Sequence, residues 1–594
     1  MLELCLQNTL DQMAQWADKW DMSLNTSKTK VMLFGSRQRP LSVSLHDKKI
    51  EHVKSIKYLG VWLDEHLSFY EQAEYAAGKA TRAFGKISRL INGRNGIAPQ
   101  TAIMLYKSLV RPHWEFSVAA WASVAEKGIQ LLEKVQARCL RSILGAKAHS
   151  SADAVDVIAN ITPVRLRIQE VCTLEYLRIL RKPQRLSIRR MLELSEPQQT
   201  KFTPMSFLKY QSKSFRRLTD YAEIEIEHVT LLSDILDDNT VTVMQIVSED
   251  EVQKSDCSIQ ASVNIIDKVD AFVDVHRHES IVCFTDGATS DCEVGRGSAA
   301  AILLKLNPDG KELEVTEVLN KIVDNIEAEL SAIALALEAS FEYLMQLDHP
   351  NTVEQLFIFT DCKPAIDCII NRSQMNIYHC VLARVKASLM SLHSMKVCVS
   401  VAWIPGHSGI HYNEQADMAA KEALRLDTKL INGSIALPSC KRLLSKHIRK
   451  QWQTRWERST TARATFALIP VVGRIIRFPQ TRCSAVSYVR LLLDDTALNA
   501  HQLRIGLADT RLCQCGQDIE DVHHYLLTCV KYESIRRDLL KCVDEVCSDD
   551  AHCSSLSLSA SLFLSPWLHD MTDSECSEIL AATFQFIYES ARRP

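Results

Sequence analysis

The sequence predicts a multidomain α+β protein, mainly helical at both ends with an α/β domain between them. Its 594 residues exceed what one core holds, at about 150 residues per domain. From Ser68 to about Leu180 apolar residues recur at intervals of three and four, the period of a packed helix. Further on, short apolar runs alternate with helical stretches, the pattern of a sheet covered by helices.

Taken in order, residues 1 to 40 read as an amphipathic helix (Leu6, Leu10, Met13, Trp16, Trp20), a turn, and a strand through Val31, Met32, Leu33 and Phe34. A second strand pair follows, with the run from Ile56 to Leu63 its clearest member. The helical region is marked by Ile103, Tyr106, Leu109 and Val110, then by Ile129, Leu132, Val135, Cys139 and Ile143. Between Arg178 and Arg217 the chain is rich in Lys and Arg, whereas from Asp220 to Glu251 it has neither. Residues 218 to 276 show no sustained period and read as a linker or irregular subdomain. The runs from Ile281 to Thr285 and from Leu356 to Thr360 read as strands. The expected partition is 1–180, 181–276, 277–426 and 427–594.

Composition bounds the classes. A hydrophobic content of 46% is that of a folding chain. No run of about 18 uncharged apolar residues appears, and the amino terminus has no basic region followed by an apolar core, so no membrane span or secretion signal is expected. The 19 cysteines are odd in number and scattered through apolar runs. That favours free thiols in a reducing compartment, hence an intracellular protein of cytoplasm or nucleus. The net charge of −3 gives no global pull on a polyanion, so nucleic acid would have to follow particular basic surfaces. Oligomeric state is not legible.

Four carboxylates stand out: Asp286 in Phe-Thr-Asp-Gly, Glu329 in Glu-Ala-Glu-Leu, Asp361 in Phe-Thr-Asp-Cys and Asp417 in Asn-Glu-Gln-Ala-Asp. Two lie at strand ends and two on helical stretches, which can converge on one point. Clustered carboxylates repel unless divalent cations neutralise them, and hard oxygen ligands favour magnesium. Glu329 is preferred to Glu327 as a ligand because Leu330, Ile333 and Leu337 place a buried stripe beside it.

The order Asp, Glu, Asp, Asp, with Trp403-Ile404-Pro405-Gly406-His407-Ser408-Gly409 ahead of the last acid, resembles the ribonuclease H domain over roughly 277 to 426. The resemblance implies an α/β domain with a five-stranded mixed sheet. It implies a magnesium-dependent endonuclease that cuts the RNA strand of RNA–DNA hybrids with two ions, leaving 3′-hydroxyl and 5′-phosphate ends. Asp286 would bridge the two ions, Glu329 and Asp361 would hold the ion on the leaving-group side, and Asp417 the ion that carries the water. His407, in a glycine-flanked loop, would move protons or aid product release. Cys362 stands where the family commonly has serine.

A second resemblance lies upstream. Leu24-Asn25-Thr26-Ser27-Lys28-Thr29-Lys30, Met32-Leu33-Phe34 and Lys57-Tyr58-Leu59-Gly60 are similar to the last palm motifs of a non-LTR retrotransposon reverse transcriptase. Tyr106 to Pro112 and Val135 to Arg138 are similar to its thumb. The aromatic-x-Asp-Asp turn that polymerisation needs does not occur ahead of Lys28, so polymerase activity is not expected. Leu493-Asp494-Asp495 reads instead as a solvated helix end.

Two features close the chain. From Cys440 to Arg458, basic residues surround Leu444, Ile448, Trp452 and Trp456 at intervals of four. This is either a helix burying its tryptophans or one stacking them on bases. Cys513-Gln514-Cys515-Gly516, followed by His524 and Cys529, suits tetrahedral zinc, with His523 a rival ligand. The run from Ala497 to Leu503 ahead of it resembles the region before the terminal zinc-knuckle-like motif of these retrotransposon proteins. The expectation is therefore a ribonuclease H without polymerase activity; the alternative is a non-catalytic nucleic-acid-binding protein.

Overall fold

The computed structural model describes residues 2–34, 41–92, 96–182, 186–194, 208–210, 241–244, 259–276, 279–290, 296–304, 312–347, 353–370, 378–425, 435–548, 558–569 and 571–590. They form two compact units. One joins Met1–Cys172 to Ile448–Pro594, and the other is built from Thr173–Gln198 and Leu208–His447.

In the first unit, α1 (Leu2–Lys19) buries Leu6, Leu10 and Ala14 against Val43, Leu45 and Ile50. Met13, Trp16 and Trp20, expected on the same face, are exposed; a stripe at intervals of four and then three, ending in the fully buried Ala17, turns inward instead. The expected strand from Val31 to Phe34 shrinks to Lys30–Val31. The run from Ile56 to Leu63 is a hairpin rather than one strand, β1 (Ser55–Tyr58) and β2 (Val61–Asp64). Leu59 and Gly60 take positive φ of 47° and 92° to make its turn. The expected helices follow, among them α2 (Tyr70–Ile91) and α3 (Glu126–Leu144).

The second unit holds a six-stranded sheet. Its elements are β3 (Val241–Met244), α4 (Ile259–His276), β4 (Ile281–Thr289), β5 (Arg296–Leu304), β6 (Glu312–Ile322), α5 (Asn325–Met345), β7 (Gln355–Thr360), α6 (His379–Ser394), β8 (Cys398–Trp403) and α7 (His411–Arg425). The strand order is β6-β5-β4-β7-β8-β3. β4, β5 and β6 form an antiparallel meander, while β4, β7, β8 and β3 are parallel. The mixed five-stranded sheet is thus present, and β3 adds a sixth strand at its edge. Both faces are covered. Leu330, Ile333 and Leu337 of α5 and Val381, Val385 and Leu389 of α6 pack on Ile281, Cys283, Leu356 and Ile358. On the other face Ile265, Val269 and Val273 of α4 meet Val282, Phe284, Phe357 and Phe359.

β3 and α4 correct the reading of 218–276 as a linker or irregular subdomain, because both belong to the sheet domain. The four-residue strand is too short to show a period, and the acidic residues around it mask its alternation. The rest of the acidic run, and the basic run beyond Tyr210, lie outside the described residues.

Three further helices matter: α8 (Leu437–Glu457), α9 (Arg482–Leu492) and α10 (Asp573–Glu589). Trp452 and Trp456 of α8 are buried, at 5% and 1% exposure, and Trp456 Nε1 donates to Ile469 O at 2.8 Å. They are core residues, not a stacking platform. In the same unit as α3, the buried Arg482 guanidinium donates to Ser142 O (2.7 Å) and to Ile143 O, satisfying carbonyls that end α3.

The expected helix end is present, since α9 stops at Leu492 and Asp494 stays partly exposed, but Asp495 is not solvated. Asp495 is 5% exposed. It accepts from Ser150 Oγ at 2.7 Å, pairs with Lys147 Nζ at 2.9 Å and lies 3.2 Å from His501 Nε2. Lys147 and Ser150 are remote in sequence, so the neighbourhood of Asp495 alone does not reveal them.

Candidate active site

Adjacent strands bring the first acids together. β4 and β7 are parallel and in register at Thr285 and Thr360, so Asp286, inside β4 rather than at its end, lies beside Asp361, just past β7. Asp324 caps α5 by accepting from Glu327 N at 2.9 Å, and one turn later the helix delivers Glu329. The helix comes unusually near β4 there. A Cβ on Gly287 would stand 2.4 Å from Ala328 C and Glu329 N, so only glycine permits the approach. One oxygen from each of Asp286, Glu329 and Asp361 falls within a common span of 4.8 Å.

α7 supplies Asp417, whose carboxylate neighbours Asp286 and helps to raise it. Asp417, Glu414 and His407 form a second group with ligand atoms within 4.8 Å of one another. Lys421 Nζ donates to Asp417 Oδ2 at 2.6 Å. The His407 loop lies directly over Asp361: a Cβ on Gly406 would be 2.5 Å from Asp361 Oδ2. His407 itself is exposed, with φ of 50°. Trp403 Nε1 donates to Asp361 O at 2.9 Å, tying the end of β8 to the same point.

The electrostatics are those of a site short of positive charge. Burial, then the neighbouring Asp361 and Asp417, raises Asp286 to about 7. Burial, then Asp286 and Asp361, raises Glu329 to about 10. Asp361 is also raised by burial, against the opposing pull of His407 and the Asn413 side chain. Glu329 Oε2 is buried without a hydrogen-bond partner among the described residues. Four inward carboxylates with an unsatisfied oxygen fit a divalent cation.

All five expected residues converge: Asp286, Glu329, Asp361, His407 and Asp417. Glu327 faces away, fully buried, and accepts from Ser439 Oγ at 3.3 Å. Glu414 and Asn413 were missed, although the three-residue spacing of Glu414 and Asp417 puts both on one helix face. No sequence signal marks Gly287 or Gly406 as contact points, because the atoms they meet come from other elements.

In the other unit Cys513, Cys515, His524 and Cys529 cluster, with ligand atoms within 4.8 Å. Cys513 Sγ lies 3.7 Å from Cys529 Sγ and Cys515 Sγ 3.3 Å from His524 Nε2. A tetrahedron of Zn–S bonds of about 2.3 Å has edges near 3.8 Å, so the donors fit zinc. His524 Nδ1 lies 3.0 Å from Thr528 Oγ1, which fixes the ring with Nε2 inward. His523 is exposed, which removes it as a rival. The Gln517 amide, among other donors, lowers the Cys515 thiol to about 6, while burial pushes Cys513 up to about 12. Cys513, Cys515 and Cys529 are joined by no disulfide.

A mixed sheet with this strand order, acids from two neighbouring strands and two helices, and a histidine loop beside them define a ribonuclease H domain. Residues 278–425 match the ribonuclease H family. The chain is related to RNA-directed DNA polymerases of non-LTR retrotransposons. It is 25% identical over 185 residues to that of mobile element jockey from Drosophila funebris, covering 31% of this chain and 20% of that protein. To the jockey enzyme of Drosophila melanogaster it is 30% identical over 142 residues, covering 24% and 16%. To the Pol polyprotein of type-1 retrotransposable element R1 from Bradysia coprophila it is 34% identical over 102 residues, covering 17% and 10%. The chain thus spans about a fifth or less of the length of these relatives. The ribonuclease H1 structure from Halobacterium salinarum aligns with 24% of this chain and 97% of its own at 21% identity, with a TM-score of 0.19. Among the described residues no helix is long and apolar enough to cross a membrane.

Proposed function

We propose that this chain is a magnesium-dependent endonuclease that cleaves the RNA strand of RNA–DNA hybrids. The observation that supports it most is the cluster of Asp286, Glu329 and Asp361 with Asp417 neighbouring Asp286, and Glu329 Oε2 buried without a partner among the described residues, inside the region that matches the ribonuclease H family. These four carboxylates would hold the magnesium, which when bound supplies Lewis acidity toward water and the departing oxygen. Around it, the chain's own groups position and shuttle. Lys421 and Asn413 restrain Asp417 and Asp361. His407, exposed at the rim, exchanges protons between the reacting centre and solvent. The buried neighbours of Asp286 keep bulk water from the floor of the site.

The test is cleavage of a labelled hybrid by the purified full chain in magnesium, with single-stranded RNA and duplex DNA as controls. Cutting of hybrid RNA alone is expected, and its abolition by Asp286→Asn with hybrid binding retained. Intact hybrid under conditions where a known ribonuclease H cuts would leave the non-catalytic binding alternative. For the second cluster we propose a zinc ion held by Cys513, Cys515, His524 and Cys529, with a structural role because all four positions are filled.

A further inference from the structure

We propose that α4, which lies outside the 278–425 match, is part of the active-site machinery: its Ile266 is the positioning residue of the His407 loop. The inference rests on the ribonuclease H reading and assigns it a determinant upstream of the matched region.

Both roots of the loop sit in the apolar layer that α4 walls. Ile404, fully buried, and Ile410, at 1% exposure, belong to one cluster with Ile265, Val269 and Val273 of α4, and Ile266 packs against it. α4 is itself pinned to the sheet by Phe272, whose ring meets Phe357 edge-on at 5.0 Å and Phe359 at 5.8 Å. Between its roots the loop leaves the core. Gly406, His407 and Gly409 are exposed, and a single internal bond, Ser408 Oγ to Pro405 O at 2.7 Å, closes it.

Gly409 turns the loop back toward α7 at φ of 82°. The atom that a Cβ there would meet is Ile266 Cδ1, at 3.4 Å, with nothing else of the described residues beyond its chain neighbours within 4 Å. The Ile266 side chain therefore stands beside the returning limb and packs on the cluster that holds both loop roots. The next limb carries Glu414 and Asp417, whose carboxylates lie within 4.8 Å of the His407 ring. A loop free to lift by about 1 Å would lose that geometry, and displacements of that size cost rates of about a hundredfold when they misplace reacting groups. Ile266 is half-buried and removes only apolar contact when truncated, so Ile266→Ala keeps the sheet's core.

The test uses the full chain as wild type, Ile266→Ala, Ile266→Val, His407→Ala and the double variant Ile266→Ala/His407→Ala. Hybrid cleavage is measured under single- and multiple-turnover conditions, and deuterium exchange is followed over 404–410. Ile266→Ala should lower kcat about tenfold with KM unchanged, Ile266→Val should restore most of it, and Ile266→Ala should cost nothing further once His407 is gone. Exchange at 404–410 should rise in Ile266→Ala while β4 and β7 stay protected. Multiplicative losses in the double variant, or unchanged exchange at 404–410, overturn the proposal. An inactive wild type overturns the functional reading instead, and the exchange measurement still decides whether Ile266 holds the loop.

Discussion

Gly287 and Glu329 touch backbone to backbone: a Cβ on Gly287 would stand 2.4 Å from the Glu329 amide nitrogen. That contact sets how deeply α5 can seat on β4, and so how far the Glu329 carboxylate reaches toward Asp286. The spacing of two of the clustered acids is thus fixed by a residue with no side chain.

Gly287→Ala should therefore separate the two acids, because neither the strand nor the first turns of α5 can yield without moving one of them. Overpacking of this kind costs about 1–3 kcal/mol, and hybrid cleavage should fall at least tenfold. Gly406→Ala is the informative contrast. Its Cβ would meet Asp361 Oδ2 at 2.5 Å, a side-chain atom that can rotate away. Stability should then be nearly kept, while the magnesium concentration for half-maximal cleavage rises. Melting and magnesium titration of both variants check this; equal behaviour of the two would refute it.

The raised carboxyls make the metal-free fold sensitive to pH in a defined direction. Asp286 and Glu329 rise to about 7 and about 10 in the fold, against roughly 4 for exposed carboxyls. The folded state binds more protons than the unfolded chain, so their contribution becomes unfavourable as pH climbs from about 4 through the folded values. Asp286→Asn and Glu329→Gln should stabilise the chelator-treated protein at pH 8 by a few degrees, with little gain near pH 4, while abolishing cleavage. Thermal melts in chelator at both pH values decide it; a destabilised Asp286→Asn at pH 8 would contradict it.

Asp286, Asp361 and Glu329 were legible because each sits in a local context that needs no knowledge of the rest of the chain: strand then Asp-Gly, strand then Asp-Cys, a helix with a buried stripe. What stayed hidden depends on remote partners. β3 pairs with β8 across about 160 residues of sequence, and its own four residues carry no period. α4 was missed because acids interrupt its apolar positions: Ile265, Val269 and Val273 face inward while Asp267, Asp270 and Asp274 alternate with them outward. Asp495 was misjudged for the same reason, since Lys147 and Ser150 lie about 350 residues away in sequence. The hairpin at Ile56 to Leu63 was read as one strand because Leu59 at φ of 47° gives no compositional warning.

Asp495 should stabilise its own unit above acid pH. Burial pushes its carboxyl up, but hydrogen bonds from Lys147 and Ser150 and the charge of Lys147 outweigh that and hold it below the usual value. A depressed folded value gives stability that is full above the unfolded value, about 3.9, and is lost as pH falls below it. Asp495→Asn should cost on the order of 2 kcal/mol at pH 7, and the difference from wild type should shrink toward pH 3. Denaturant melts across that range check the slope, and a variant as stable as wild type at pH 7 would return Asp495 to the role of a solvated helix end.

Zinc should prove integral to the fold around residues 513–529 and separable from the magnesium site. With Cys513, Cys515, His524 and Cys529 as donors, elemental analysis of the purified chain should find one zinc, absent from Cys515→Ser. Thr528 stands behind the histidine at 3.0 Å, and losing an outer partner of this kind typically weakens metal affinity about 10–100-fold. Thr528→Ala should therefore lose zinc to a competing chelator at lower concentration than wild type, with full occupancy when zinc is in excess. Tyr525 and Tyr532, ring centroids 5.4 Å apart beside Phe586 of α10, should report the loss as a change in near-ultraviolet dichroism. A chain that carries no zinc, or one whose dichroism is indifferent to chelation, would leave the four residues as reduced thiols and a histidine packed by chance.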